Sequence, residues 1–319
     1  MRLFCIDMKT MESAPSPGLP FEPAATSARR GIIVMVLSVM AFTVNTLLLR
    51  YIGEGERRIS PDMSLLFRAA VGIVIVLVFF RGKRPTLIKP VFGDRSLVLR
   101  GLSGLLGTAA YYWTVPSLGA GKATLICNTY VIFASIIAML SLGEKLTAKR
   151  FFWLAASFVG IVLLVGPRAG GEGFTIGFNE ILALFGAIMA AWSVVLVRQL
   201  SLEYSIGTIY LAQCVWILVP IAFLAVPELH ELNLNEIGIL LLAAIAAGYG
   251  QLAMNEGYRC LTVTTGATIQ MLWPVSTTLG GWLLFNEVFG PLQWIGAVLI
   301  LASIWQISIA GLRARKVAA

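Results

Sequence analysis

The chain has 319 residues, of which 58% are hydrophobic and only 13% charged, with a mean hydropathy of +0.86 and a net charge of +8. Soluble domains carry about 25% charged residues, so a soluble globular protein is excluded. Four scattered cysteines, Cys5, Cys127, Cys214 and Cys260, form no CxxC pair, which argues against a disulfide framework or a zinc or iron–sulfur site.

Residues 1–28 are polar and proline-rich and lack an apolar core of signal-peptide type, so a disordered cytoplasmic tail is expected there, extending to residue 30. Ten hydrophobic segments follow, at about 31–49, 60–80, 97–117, 121–142, 150–166, 178–198, 205–226, 236–256, 262–285 and 291–311. Each is near the length that crosses a hydrocarbon core of roughly 30 Å as a helix. Closed barrels would show short alternating segments instead. The fold class expected is therefore an all-α polytopic membrane protein with ten transmembrane helices.

Lys and Arg placement sets the orientation. With the N-terminus inside, the cytoplasmic segments hold Arg29, Arg30, Arg81, Lys83, Arg84, Lys89, Arg95, Arg100, Lys145, Lys149, Arg150, Arg198, Arg259, Arg313, Arg315 and Lys316. The outer loops hold only Arg50, Arg57, Arg58, Lys122 and Arg168. Both termini are expected in the cytoplasm, and the net charge needs no nucleic-acid partner to explain it.

The chain repeats itself. A shift of 143 residues places Gly107 on Gly250, Ile126 on Ile269, Leu140 on Leu283 and Glu144 on Glu287. With slightly different offsets, RRGIIVMVLSVMAF aligns with NEILALFGAIMAAW and SPDMSLLFRAAV with SIGTIYLAQCVW. Two halves of five helices insert with opposite orientations because five is odd, and inverted repeats of this kind mark transporters with a midplane site. No GxxxxGK[ST] loop is present. The sole histidine, His230, lies in an acidic loop, where a solvated side chain is the simplest reading.

The stretch LSLGEKLTAKRFFWLAASFVGIVLLVGP and its echo LLFNEVFGPLQWIGAVLILASI, within a five-plus-five arrangement, resemble the paired EamA domains of the drug/metabolite transporter superfamily. The resemblance implies a first repeat over 31–168 and a second over 174–312. It also implies a secondary transporter of the cytoplasmic (inner) membrane, not an enzyme, that moves small organic metabolites by alternating access. No cofactor or metal is expected; coupling to a proton or ion runs through a boundary glutamate or does not exist. Relatives often carry a proline in the middle of both the fourth and ninth segments. Here Pro274 is present, but its repeat partner is Val131.

Arg68 is the most informative residue. It lies eight positions into the second segment, about 12 Å along a helix at ~1.5 Å per residue, where burying a guanidinium costs at least ~2.5 kcal/mol. One reading has it meet a carboxylate or phosphate of the substrate; the other bonds it to backbone carbonyls or lets it snorkel outward. Further candidates for binding are Asn45, Asn128, Tyr130, Trp192, Gln213, Tyr249, Gln251, Gln270 and Trp273, among which Tyr130 pairs with Trp273 and Gln251 with Thr108 across the repeat. Aromatics would supply an amphipathic wall and amides orientation. The bland alternative for each is helix packing or an interfacial belt; Tyr111, Tyr112 and Trp113 are also available near the cavity, but for them the belt is favoured. No carboxylate is expected deep in a segment, since Glu180, Glu236 and Glu256 lie near helix ends. Glu144 and Glu287 end one helix and precede another, which suits a carboxylate accepting from a neighbouring helix N-terminus, or a gate; Pro274 joins them as a gate or structural residue.

The expected cargo is small, polar and anionic or zwitterionic, of amino-acid type, with export the default of the resembled family. The alternatives are uptake of a nucleotide-like metabolite or vitamin, such as S-adenosylmethionine or riboflavin, multidrug export, or lipid flipping. The absence of an intramembrane acid disfavours a proton/cation antiporter.

Overall fold

The computed structural model describes residues 25–54, 59–79, 88–142, 148–165, 177–200, 203–261, 266, 269–270 and 272–318. The expected tail up to residue 24 and the candidate gate Glu144 lie outside them. The helices are α1 (Ala25–Glu54), α2 (Pro61–Phe79), α3 (Lys89–Gly93), α4 (Arg95–Leu118), α5 (Ala120–Asn128), α6 (Tyr130–Leu142), α7 (Ala148–Val165), α8 (Phe178–Leu200), α9 (Ile206–Ala225), α10 (Leu234–Cys260), α11 (Leu272–Phe285) and α12 (Pro291–Ala318), with a 3-10 turn at Val226–Glu231. No strand occurs among the described residues. Five of these stretches, Arg29–Glu54, Pro61–Val78, Phe178–Val197, Ile206–Glu231 and Leu234–Tyr258, are long and apolar enough to cross a bilayer by length and composition.

Polar residues at the helix starts explain where several helices begin. The Asp94 carboxylate accepts from the Ser96 amide at 2.7 Å and the Leu97 amide at 3.3 Å and so caps α4. The Tyr204 hydroxyl donates to the same group at 2.6 Å and, with those amides, holds the Asp94 carboxyl below the ordinary aspartate range; the same bond pushes the Tyr204 hydroxyl up. Ser205 caps α9, and Asn233 with Glu236 forms a reciprocal capping box on α10. Between α4 and α5 the chain turns at Gly119, whose φ of 84° is strained for any residue with a Cβ.

The predicted segment 121–142 is not one helix. It is interrupted at Thr129, whose amide bonds back to the Ile126 carbonyl at 3.1 Å while its hydroxyl donates to the same oxygen at 2.6 Å. This i−3 tightening needs no proline, so the interruption falls two residues before Val131, the position at which the repeat lacks one.

The helix contacts come in exchanged pairs. With α1, α2, α4, α5/α6 and α7 matched to α8, α9, α10, α11 and α12, the α1–α10 packing has its counterpart in α8–α4, α2–α10 in α9–α4, and α6–α8 in α11–α1. The contacts α2–α9, α5–α11 and α7–α12 map onto themselves. Close approach is carried by glycine where it matters: a Cβ on Gly107 would meet the α8 backbone at 3.1 Å, and one on Gly160 the α12 backbone at 2.9 Å. Outward faces carry large apolar side chains, such as Ile181, Phe185, Ile188 and Trp192 along α8. A continuous apolar exterior of this kind suits lipid and not water.

Candidate substrate site

Arg68 points inward from α2 and is 5% exposed. Its Nη1 donates to the Tyr112 hydroxyl of α4 at 3.0 Å and its Nη2 to Gln251 Oε1 of α10 at 3.3 Å, while the guanidinium lies 5.5 Å from the centre of the Tyr112 ring. Tyr112 in turn exchanges hydrogen bonds with Asn45 of α1, whose amide also donates to the Ala243 carbonyl at 3.1 Å. Gln251 donates to Asn255 one turn along α10. Four helices therefore hold one guanidinium, and Arg68 Nε is left buried without a partner.

Arg100 corrects the sequence reading, which placed it among cytoplasmic loop charges. It sits in the second turn of α4, 2% exposed, with Nη1 donating to Ser193 Oγ of α8 at 2.6 Å and Nη2 to Gln213 Oε1 of α9 at 2.8 Å. Gln213 donates onward to Thr108 Oγ1 at 2.9 Å. Gly104 leaves the room that Arg100 and Gln213 occupy, since a Cβ there would overlap both. Among the described residues no carboxylate lies within ion-pair distance of either guanidinium, and neither bonds a backbone carbonyl. The two networks are also related: Arg68 aligns with Gln213 and Gln251 with Thr108 across the repeat, and Arg68–Gln251 and Gln213–Thr108 are the matching bonds.

An aromatic group adjoins Tyr112, the partner of Arg68, with the Tyr111 ring 6.2 Å from the Tyr112 ring, centre to centre. Trp273 of α11 lies 5.4 Å from Tyr111 and 5.5 Å from Phe42, centre to centre. The Tyr111 hydroxyl bonds to Thr46 at 2.7 Å and to Thr124 at 3.1 Å. Trp273 Nε1 is buried and unpartnered, as are both amide atoms of Asn128 at the end of α5. Buried unmade hydrogen bonds cost about 1–3 kcal/mol each; groups kept in that state are ones a ligand can complete.

The expected belt of Tyr111 to Trp113 splits. Trp113 is exposed and donates to Asp62 at 2.8 Å, whereas Tyr111 and Tyr112 are core residues. Three consecutive helical residues span about 200° of the helix, so they cannot share one face.

The other candidates have surroundings of their own. Trp192 is 47% exposed on the outer face of α8. Tyr249 is half-buried, and Tyr130 bonds the Tyr258 hydroxyl at 3.2 Å. Gln270 turns to α1, donating to Met35 Sδ at 3.1 Å and Ser38 Oγ at 3.4 Å. Pro274 is buried in the first turn of α11, its carbonyl accepting from Thr277 at 3.1 Å.

Glu287 accepts from the Ala120 amide at 2.8 Å and the Gly121 amide at 3.1 Å, at the N-terminus of α5, and pairs with Arg50 at 2.9 Å. Arg50 also contacts Glu54 and the Pro116 carbonyl. The expectation of no deep carboxylate needs amending. Glu180 and Glu256 are near helix ends yet buried, Glu180 paired with Lys122 at 3.0 Å and Glu256 with Arg30 at 3.5 Å, because neighbouring helices overlap those ends.

Comparison with known proteins places the chain in a family. Residues 29–166 and 177–309 each match the EamA-like transporter family. The pseudopaline exporter CntI of Pseudomonas aeruginosa is 24% identical, over 86% of this chain and 94% of its own. The S-adenosylmethionine uptake transporter of Rickettsia prowazekii is 22% identical over 85% and 90%, and the riboflavin transporter of Vibrio cholerae 24% over 86% and 91%. A solved crystal structure superposes with a TM-score of 0.54 at 18% identity, covering 92% of this chain and 98% of its own, which supports the fold.

Proposed function

We propose, from the premise that this chain belongs to the EamA-like transporter family, that it is a secondary carrier of small anionic or zwitterionic metabolites in the cytoplasmic membrane. It exports them by alternating access between two inverted five-helix halves, with ten spans and both termini inside. The exchange of helix contacts between the halves supports the repeat, and the basic residues of the short loops support the orientation.

The observation that carries the substrate class is Arg68. A guanidinium at this depth, held by neutral side chains alone and with Nε unpartnered, has a geometry suited to a carboxylate or phosphate of the cargo. Tyr112, Asn45, Gln251, Asn128 and Trp273 complete the site. Export follows the default of the family and the relative named as an exporter. A second reading, uptake of a ring-bearing metabolite, draws on the Phe42–Trp273–Tyr111 cluster and on the relatives named for S-adenosylmethionine and riboflavin.

A thermal-shift screen of the purified protein in detergent tests this, using amino acids, organic acids, nucleotides, vitamins and lipophilic cations, with Arg68→Gln alongside. A ligand at 100 times its Kd adds about 2.7 kcal/mol to the folded state. Stabilisation by anionic or zwitterionic compounds that vanishes in Arg68→Gln is the expected result. Stabilisation by lipophilic cations alone, unchanged in the variant, would overturn it. Flux in vesicles of known sidedness separates export from uptake.

A further inference from the structure

Arg100 has no role in the site as read from the sequence, yet it shares the unusual state of Arg68. Both are more than nine-tenths buried, both are oriented by two neutral side-chain acceptors, and both keep a buried Nε without a partner. A Cβ on Gly72, one turn beyond Arg68 on α2, would meet Cys214 Sγ at 2.6 Å and the Tyr210 hydroxyl at 2.8 Å, and Gln213, beside Cys214 on α9, holds Arg100, so the two cations border one interior region. No carboxylate of the described residues offsets either charge.

Two like charges in a low-dielectric interior repel each other and each loses its hydration. Ser193, Gln213, Tyr112 and Gln251 provide hydrogen bonds but no countercharge. A structural arginine ordinarily finds a carboxylate or backbone carbonyls; these two have neither. A single monoanion would leave one of them uncompensated, and a zwitterion would bring an ammonium group toward a guanidinium.

We propose that Arg68 and Arg100 form two subsites for one cargo that carries two anionic groups, so that the substrate class is a dicarboxylate or an equivalent dianion. This rests on the reading of Arg68 as a substrate contact. One acid group meets Arg68 between α2, α4 and α10; the other meets Arg100 between α4, α8 and α9. Both arginines come from the first half and take acceptors from the second, Arg68 from Gln251 and Arg100 from Ser193 and Gln213, so the cargo lies at the boundary between the halves.

The test is binding to the purified full chain, read as the shift of the thermal midpoint with ligand concentration. The probes are succinate, glutarate and adipate against butyrate and pentanoate, with the parent protein, Arg68→Gln, Arg100→Gln and Arg100→Lys. The parent should bind at least one of the dicarboxylates tenfold or more tightly than either monocarboxylate. Arg100→Gln should lose that preference and bind both classes alike, and Arg100→Lys should retain part of it. Equal binding of mono- and dicarboxylates by the parent, or an undiminished preference in Arg100→Gln, overturns the proposal. Should Arg100→Gln fail to fold, the parent's preference and that of Arg100→Lys decide. Monocarboxylate binding that depends on Arg68 but ignores Arg100 removes the second subsite and leaves the function standing. No response of the parent to any of these acids overturns the two-anion proposal, while the wider screen with Arg68→Gln still decides the function.

Discussion

Replacing Glu287 by alanine should destabilise the folded protein by about 2–3 kcal/mol, a magnitude assembled from three contacts. Loss of a helix cap costs about 1 kcal/mol, and Glu287 serves two amides of α5. The ion pair with Arg50 lies between an exposed pair, worth about 0–1 kcal/mol, and a buried one, whose breaking costs about 3–5 kcal/mol. With side chains 14% and 12% exposed, and with Glu54 and the Pro116 carbonyl still on Arg50, about 1–2 kcal/mol is reasonable. Glu287→Gln keeps one carbonyl acceptor and should lose about half as much. Two glycines share in the arrangement, because a Cβ on Gly119 or Gly281 would run into the Glu287 carboxylate. Equilibrium denaturation in mixed micelles, with Arg50→Met and the double variant, supplies the measurement. A Glu287→Ala change within about 0.5 kcal/mol of the parent, or additive single variants, would refute the assignment of stability to this cluster.

Asp94, held low by Tyr204 and two amides, contributes stability that is present above the ordinary aspartate pKa of about 4 and fades as pH falls through its depressed folded value. Thermal midpoints across acid pH should therefore show Asp94→Ala and the parent converging at low pH, and a constant gap would contradict the linkage. Gly160→Ala should destabilise by about 1–3 kcal/mol despite alanine's higher helix propensity, since its Cβ meets the Gly296 carbonyl at 2.9 Å; a more stable variant by denaturation would show that α7 and α12 can part freely. Trp192→Ala should leave ligand-induced stabilisation within error of the parent, because that ring faces away from the arginines, and a tenfold loss of affinity would bring it back into the site.

Much of this architecture was legible in the amino acids, and the parts that were not share a cause. Long apolar runs, capping residues and a repeated glutamate depend on local chemistry, so the helices and the helix-end setting of Glu287 could be written down from the sequence. Which face a side chain takes could not. In a water-soluble helix the polar side announces itself, but lipid and protein interior are both apolar, so Trp192 and Trp273 look alike in sequence and part company only in packing. Arg100 was misjudged because a basic residue near a helix start is ordinarily interfacial, and only the crossing of α4 with α8 and α9 encloses it. Arg68, farther along its helix, betrayed itself by depth alone. Glu180 and Glu256 show the same limit from the other side: position along a helix does not report what overlaps its end.

The interruption at Thr129 separates this carrier from one built with proline at the same level. A proline ring removes an amide permanently and clashes with the preceding turn, so the bend it makes is a covalent property of the chain. Thr129 keeps its amide and merely lends its hydroxyl to the Ile126 carbonyl. The two lengths of helix on either side, one ending in Asn128, whose side chain is unpartnered, and the other beginning with Tyr130, are thus joined by two hydrogen bonds to one carbonyl and not by a ring.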